Sequence, residues 1–293
     1  MRPRRRRADL PAESAPPALL PLAQGELSPR DAGELRELKR MIQRTLGLHC
    51  DAYKEPCLRR RLAVRMRARG LHSYRDYAAV LEQDVAERDR LLDAITITVS
   101  KFFRTHEAWE VLRRKVIPEL FKNPLRSIRI WSAGCAGGEE PYTLAIVLRQ
   151  YAEAHEVTRQ LRRFDILATD IDRGILEHAA KGEFSDFAFT EVDARTRERY
   201  FEGNRVREDI RRMVRFEELD LMTEPFPQAL HLVICRNVII YFERTLQERL
   251  FSQFYDCLVP GGFLVLGKVE TIFGPAARRF KTLATRERIF CRP

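Results

Sequence analysis

Between Asp31 and about Ile97 apolar residues recur at intervals of three and four: Leu35, Leu38, Ile42 and Leu46, then Leu58, Leu62 and Met66, then Tyr74, Tyr77 and Leu81, then Leu91, Leu92 and Ile95. Gly47 and Gly70 fall where helices should stop, and Ser73 is placed to cap the third. This spacing predicts an all-helical unit over residues 31–97. From Arg126 onward the period changes. SIRIWSA, FDILATD, LHLVICR and GGFLVLG read as buried strands, alternating with the helical runs EEPYTLAIVLRQYAEA, IDRGILEHAA and TLQERLFSQFYDCL. Such alternation predicts an α/β domain over residues 98–293 with a doubly wound, Rossmann-like sheet. A charged stretch at about 184–216 interrupts it and reads as a small β insertion, with MVRF as a short strand. The end, FKTLATRERIFCR, reads as two short strands turning at Ala284–Thr285. Residues 1–30, rich in proline and arginine and without periodicity, are expected to form a disordered basic tail.

Composition narrows the class. Of 293 residues, 45% are hydrophobic and 32% charged, an ordinary globular balance that can fill one large and one small core. No apolar run approaches the roughly 20 residues of a membrane span, and the basic N-terminus lacks the unbroken apolar core of a secretion signal. No membrane insertion is expected. The six cysteines form no C-x-x-C pair and no metal spacing with histidine, so neither a metal nor a disulfide is expected, and a cytoplasmic location follows. The net charge of +10 favours an acidic partner without choosing among nucleic acid, membrane surface and protein. Much of it lies in one predicted helix, where Lys54, Arg59, Arg60, Arg61, Arg65, Arg67, Arg69 and Arg75 are opposed only by Glu55.

The segment IRIWSAGCAGGEEPYTLAIVL carries the strongest local signal. A strand ends in a loop with Gly134, Gly137 and Gly138, and Pro141 sits in the first turn of the helix that follows. The glycines allow a ligand close to the backbone. Glu139 and Glu140 would repel a pyrophosphate but suit a cationic ligand; they would equally complement the helix dipole, and the loop alone leaves the two readings even. Asp170, ending the second strand, is placed to accept both hydroxyls of a ribose, whereas Asp172 fits a helix cap. Arg236 and Asn237 follow an apolar strand directly, at the sheet edge where ligands bind.

Together these segments resemble the chemotaxis receptor methyltransferase (CheR) family, from about residue 31 to the C-terminus. RRRLAVRMRARGLHSYRDYAAVLEQDVAERDRLLDAITI is similar to the family's helical domain. FFRTHEAWEVLRRKVIPEL, WSAGCAGGEEPYTLA, ATDIDRGILEHA, CRNVIIYFERTLQERLF and LVPGGFLVLGKVE each resemble a family block, in family order. The resemblance implies an S-adenosylmethionine-dependent enzyme that esterifies receptor glutamates and releases S-adenosylhomocysteine. Carried over by position, cofactor contacts are expected at Thr98, Ser100, Arg104, Gly134, Glu140, Asp170, Asp220, Leu221, Arg236 and Asn237, with Arg104 and Tyr241 lining the methyl-transfer site. The basic helix, through Arg59, Arg60, Arg61, Arg65 and Arg67, would meet the acidic methylation helices of a receptor's cytoplasmic domain. A monomer acting at the face of membrane-bound receptors is expected, with no nucleic acid as partner. The sequence departs from the family pattern at three places. Thr98 and Ser100 stand where an asparagine and a threonine are usual, Lys268 and Val269 replace a histidine and a serine between Gly267 and Glu270, and the insertion around Gly203–Arg212 is short for gripping a receptor's terminal peptide.

The chemistry fits a site without a base. A glutamate carboxylate is ionised at neutral pH, so transfer from a sulfonium needs alignment more than proton removal. Arg104 offers the planar fork of donors that holds a carboxylate, and Tyr241 a hydroxyl. Two other readings compete. A nucleic-acid methyltransferase would use the positive charge, but the Asn/Asp-Pro-Pro-aromatic tetrad is replaced by CRNVIIY and Cys235 lacks a preceding proline. A non-catalytic or altered-specificity signalling homologue is motivated by Thr98 and Lys268, and opposed by Glu140, Asp170 and Arg104.

Overall fold

A computed structural model of the chain describes residues 25–96 and 100–293. The arginine-rich segment 1–24 and Thr98 lie outside the described residues. Four helices come first: α1 (Pro29–Leu46), α2 (Glu55–Ala68), α3 (Tyr74–Gln83) and α4 (Val85–Ile95). The first begins just before the expected boundary at 31, because Ser28 Oγ accepts the Asp31 N–H and Pro29 suits a first turn. Gly47 ends it in the left-handed conformation, and Ser73 caps α3 as expected. Leu35, Leu38 and Ile42 of α1 and Leu58, Leu62 and Met66 of α2 are almost fully buried. At these three- and four-residue spacings each helix shows one apolar stripe to its neighbours.

The remainder is built on one seven-stranded sheet. A helical stretch with a π-helical middle, α5 (His106–Val111) to α6 (Ile117–Lys122), precedes β1 (Ile128–Ala133). Then follow α7 (Glu139–Ala154), β2 (Phe164–Asp170) and α8 (Arg173–Lys181). Next come α9 (Ala194–Tyr200), the hairpin β3 (Phe201–Glu202) and β4 (Arg205–Val206), α10 (Glu208–Arg211) and β5 (Val214–Glu218). The chain closes with β6 (Leu230–Cys235), α11 (Arg244–Cys257), β7 (Leu258–Leu266), α12 (Gly274–Arg279), β8 (Lys281–Ala284) and β9 (Ile289–Cys291). The order across the sheet is β5-β2-β1-β6-β7-β9-β8, parallel as far as β7, with the last two strands antiparallel. The direction of winding reverses between β1 and β6, and the crevice beyond their carboxyl ends is where a ligand is expected. MVRF departs from the expectation: its last three residues belong to β5, the parallel edge of the main sheet, so the insertion closes before them. Its alternation of apolar and charged residues is that of an edge strand with one covered face.

Phe102 locks the insertion to the sheet domain. Its ring centre lies 4.8, 5.2 and 4.9 Å from those of Phe184, Phe189 and Phe201. The helical unit is joined as firmly. Tyr53, between α1 and α2, pairs antiparallel with Phe242, flanked by the Lys54 N–H on the Tyr241 carbonyl and the Glu243 N–H on the Ala52 carbonyl, both 2.8 Å. The Tyr53 and Phe242 rings meet edge to face at 5.3 Å, and one hydrophobic core runs from α1 through this contact to β6 and β7. The helices therefore roof the crevice at the β1–β6 boundary.

Candidate active site

After β1 the chain must turn sharply over the sheet edge. The N–H groups of Gly134 and Cys135 both donate to the Thr169 carbonyl on β2, at 2.8 and 2.9 Å. Gly134 has φ of 72°, and a Cβ there would lie 2.5 Å from a Val238 methyl. Only glycine meets both the left-handed backbone and the close approach of the β6 loop. Asp170, at the end of β2, accepts the Ala136 N–H on one oxygen at 2.9 Å and the Asp172 N–H on the other at 3.2 Å. Each oxygen keeps a lone pair for a ligand. Burial pushes its carboxyl up, and these amides pull it back. Asp172 caps α8 through Ile175, as the sequence predicts.

Two cavities open from this turn and share Gly134, Ala136, Asn237 and Val238. The first, about 650 Å³, carries Asp170 with Ile171, Leu221, Met222 and Phe242, and is roofed by Tyr53, Ile95 and Thr96 from the helical unit. Asp220 lies at its edge, its carboxylate holding the Met222 N–H and the Thr223 hydroxyl at 2.8 and 2.9 Å. The second, about 480 Å³, brings together Ser100, Arg104, Glu140 and Arg236. Glu140 accepts from Ser132 Oγ at 2.9 Å and pairs with Arg236 at 3.6 Å. Burial pushes the Glu140 carboxyl up and the Arg236 guanidinium down, and each charge partly restores the other. Arg236 also donates to the Arg104 carbonyl at 2.8 Å and lies over the Trp109 ring, yet its buried Nε has no acceptor among the described residues.

Arg104 is fixed by its neighbours. The Phe102 N–H donates to the Ala188 carbonyl at 3.0 Å and the Phe103 N–H to Thr143 Oγ1 at 3.1 Å. Phe103 and Thr105 both hold positive φ, 56° and 62°. Non-glycine residues in that region cost of the order of 1 kcal/mol each, so the packing of the two phenylalanines imposes this turn. Tyr241 faces the first cavity; burial pushes its hydroxyl up, while the charges of Arg61 and Arg104 act against this.

The basic helix α2 is only partly an outward face. Arg59 is buried and donates to the Gly25 carbonyl at 2.9 Å, with Glu55 3.9 Å away. Arg65 makes two bonds, 3.0 and 2.8 Å, to the fully buried Glu87 of α4, which also accepts the Tyr77 hydroxyl. These two arginines therefore hold the helical unit together and are withdrawn from the expected partner surface: Arg65 is relieved by a carboxylate of α4, far along the chain, and Arg59 by the Gly25 carbonyl and Glu55. Arg60 is exposed, and Arg61 and Arg67 are half-buried.

Glu139, next to Glu140, is a different kind of acid. It is buried, one of its oxygens has no partner among the described residues, and burial pushes its pKa up to about 7. A folded-state value above that of the unfolded chain means stability is greatest in acid and is lost as pH rises through about 7. Glu139→Gln is expected to remove this loss, gaining about 2 kcal/mol over the parent between pH 5 and pH 8. Denaturant melts at the two pH values measure it; identical pH slopes for the two proteins would disprove it.

Glu270 and Tyr53 went unassigned in the sequence, though both shape the site. Glu270 is buried and accepts the N–H groups of Asn237, Val238, Ile239 and Ile240 at 2.9, 3.1, 2.9 and 3.4 Å, together with that of Gly267. Gln247 binds the same loop from its other side, through the Ile239 and Phe242 carbonyls at 2.9 Å each.

The residues fit an adenosyl amino acid: a carboxylate for a ribose diol, apolar walls for a base, Glu140 for an ammonium, and the orphaned Arg236 nitrogen for a carboxylate. A doubly wound sheet with this crevice places the protein among the S-adenosylmethionine-dependent methyltransferases. Residues 98–289 match the family described as CheR methyltransferase, SAM binding domain, and residues 33–96 match CheR methyltransferase, all-alpha domain. The chain belongs to the CheR methyltransferase family. It is 34% identical over 248 residues to a chemotaxis protein methyltransferase of Listeria innocua, covering 83% of this chain and 92% of that one. A chemotaxis protein methyltransferase of Borreliella burgdorferi is 32% identical over 254 residues, covering 82% and 89% of the two chains. A third, from Klebsiella aerogenes, is 30% identical over 264 residues, covering 86% and 87%.

Proposed function

We propose that the enzyme methylates glutamate side chains of chemotaxis-type receptors, leaving methyl esters. The observation that carries this reading is the meeting of the two cavities between Arg104 and Tyr241, where cationic and hydroxyl donors, not a base, wall the place of transfer. S-adenosylmethionine, when bound, supplies an electrophilic methyl group. Asp170, Glu140 and Arg236 hold the donor, with Ser100, Gly134, Asp220, Leu221 and Asn237 around it. Arg104 orients the acceptor carboxylate and Tyr241 closes the mouth. The acceptor is already an anion near neutral pH, so the residues need only align it and exclude water. The helical unit, residues 31–97, serves as the receptor-facing part and residues 98–293 as the transferring part, with Arg60, Arg61 and Arg67 towards acidic methylation helices. The reaction is placed in the cytoplasm, at the receptors' inner domains, with the protein acting as a monomer. Among the described residues no helix is long and apolar enough to cross a membrane.

The test is incubation with radiolabelled S-adenosylmethionine and receptor-bearing membranes. Label should enter the receptor and leave as methanol in mild base, as an ester does. Base-stable label would refute glutamate esterification.

A further inference from the structure

A groove of about 870 Å³ opens beside the methyl-transfer site and shares Arg236 with the residues that hold the donor. It begins at Thr105, one residue beyond Arg104, and its floor is Arg236. Lys268, Arg286 and Arg288, from the segment after β7 and the β8–β9 turn, complete a wall of four positive charges against Glu107 and Glu287. Among the described residues neither Lys268 nor Arg286 has a carboxylate within 4 Å, although both are exposed. The Arg288 Nε is fixed on the Lys268 carbonyl at 3.3 Å, and Arg288 holds φ of 56°, so the turn is braced against the segment after β7. Val269, next in the chain to Lys268, is 71% exposed.

We propose that this groove is a second substrate-recognition surface, which binds an acidic side chain of the methyl-accepting helix near the glutamate being methylated. The inference rests on the reading of the acceptor as a receptor glutamate. A helix presenting one carboxylate at Arg104 carries its neighbours three and four residues away on the same face, and those reach past Thr105 into the groove. Val269 then meets the aliphatic part of that face. A small free anion would meet one of Lys268, Arg286 and Arg288 and leave the others idle, whereas a row of acidic residues uses all of them. Lys268 thus adds a charge to this wall.

The experiment uses the full chain and a purified receptor cytoplasmic fragment carrying its methylation helices. The doubly reversed variant Lys268→Glu/Arg286→Glu is compared with the parent for fragment binding, initial rates of methylation and salt dependence. Expected are a rise of tenfold or more in the fragment's Kd and KM, a loss that falls on KM and not on kcat, an unchanged affinity for S-adenosylmethionine, and a shallower salt slope. Changing the acidic neighbours of the accepting glutamate to glutamine should weaken the parent but scarcely affect the variant. Kd and KM within twofold of the parent would overturn the proposal. If the parent transfers no methyl to the fragment, the acceptor assignment fails and the groove is judged on binding alone. A tenfold loss then supports it, and equal binding, or none by the parent, overturns it.

Discussion

Arg104→Ala should lower the rate of methyl transfer by roughly two to three orders of magnitude, the usual effect of removing one preorganised donor from a site of transfer. The fold should survive. The turn that carries Arg104 is fixed by the backbones and rings of Phe102 and Phe103, and the bond from Arg236 goes to the Arg104 carbonyl, which alanine retains. Arg104→Lys keeps the charge but loses the planar fork, so an intermediate rate is expected. Single-turnover rates with saturating cofactor measure the effect, with thermal melts as the control for folding. A rate within threefold of the parent would mean that Arg104 does not orient the acceptor. Its placement between two left-handed residues adds to the expectation. Backbone strain of this kind persists only where packing enforces it, and here it sets an arginine whose charge acts on both Tyr241 and Glu140.

How much of this was legible beforehand depended on how local each cause is. The helical periodicity of α1 to α4 and the buried strands β1, β2, β6 and β7 arise from residues close in sequence, and their predicted places hold. So do the caps at Ser73 and Asp172, each a side chain bonding three residues on. Gly134 and Asp170 were legible because a turn at a strand end admits few residue types. What escaped depends on distant partners. Arg59 and Arg65 read as part of a charged outer face, since only Glu55 nearby in sequence opposes them, yet Gly25 and Glu87 claim them from elsewhere in the chain. The strand within MVRF was visible, but its parallel pairing with β2, which places it in the main sheet, was not. The roof formed by Tyr53 over the cofactor crevice follows from a pairing with Phe242 almost two hundred positions away, which no window of sequence contains. The orphaned nitrogen of Arg236 is likewise a property of the assembled site.

Glu270 shows the same point in its most consequential form, and Glu270→Ala should be among the most damaging single changes in the protein. Its carboxylate gathers the amides of Gly267 and of four consecutive residues, Asn237 to Ile240, in a buried place. Alanine would leave those donors without acceptors, at about 1–3 kcal/mol for each one that water cannot reach. Even with partial relaxation a loss of at least about 4 kcal/mol is expected, beyond the usual range for point substitutions and near 10 °C in Tm. Glycine at 267 belongs to the same arrangement, since a Cβ there would lie 2.7 Å from a Glu270 oxygen. The damage should reach the ligand as well as the fold. Asn237 and Val238 line both cavities, and Tyr241 ends the turn that the carboxylate anchors, so affinity for S-adenosylmethionine should fall at least tenfold even well below the lowered Tm. Glu270→Gln keeps one accepting oxygen but turns an NH2 group towards the amides, and should recover less than half of the stability. Melting curves and calorimetric titration of the three proteins decide the matter. A Tm for the alanine variant within 3 °C of the parent would show that other groups hold this loop.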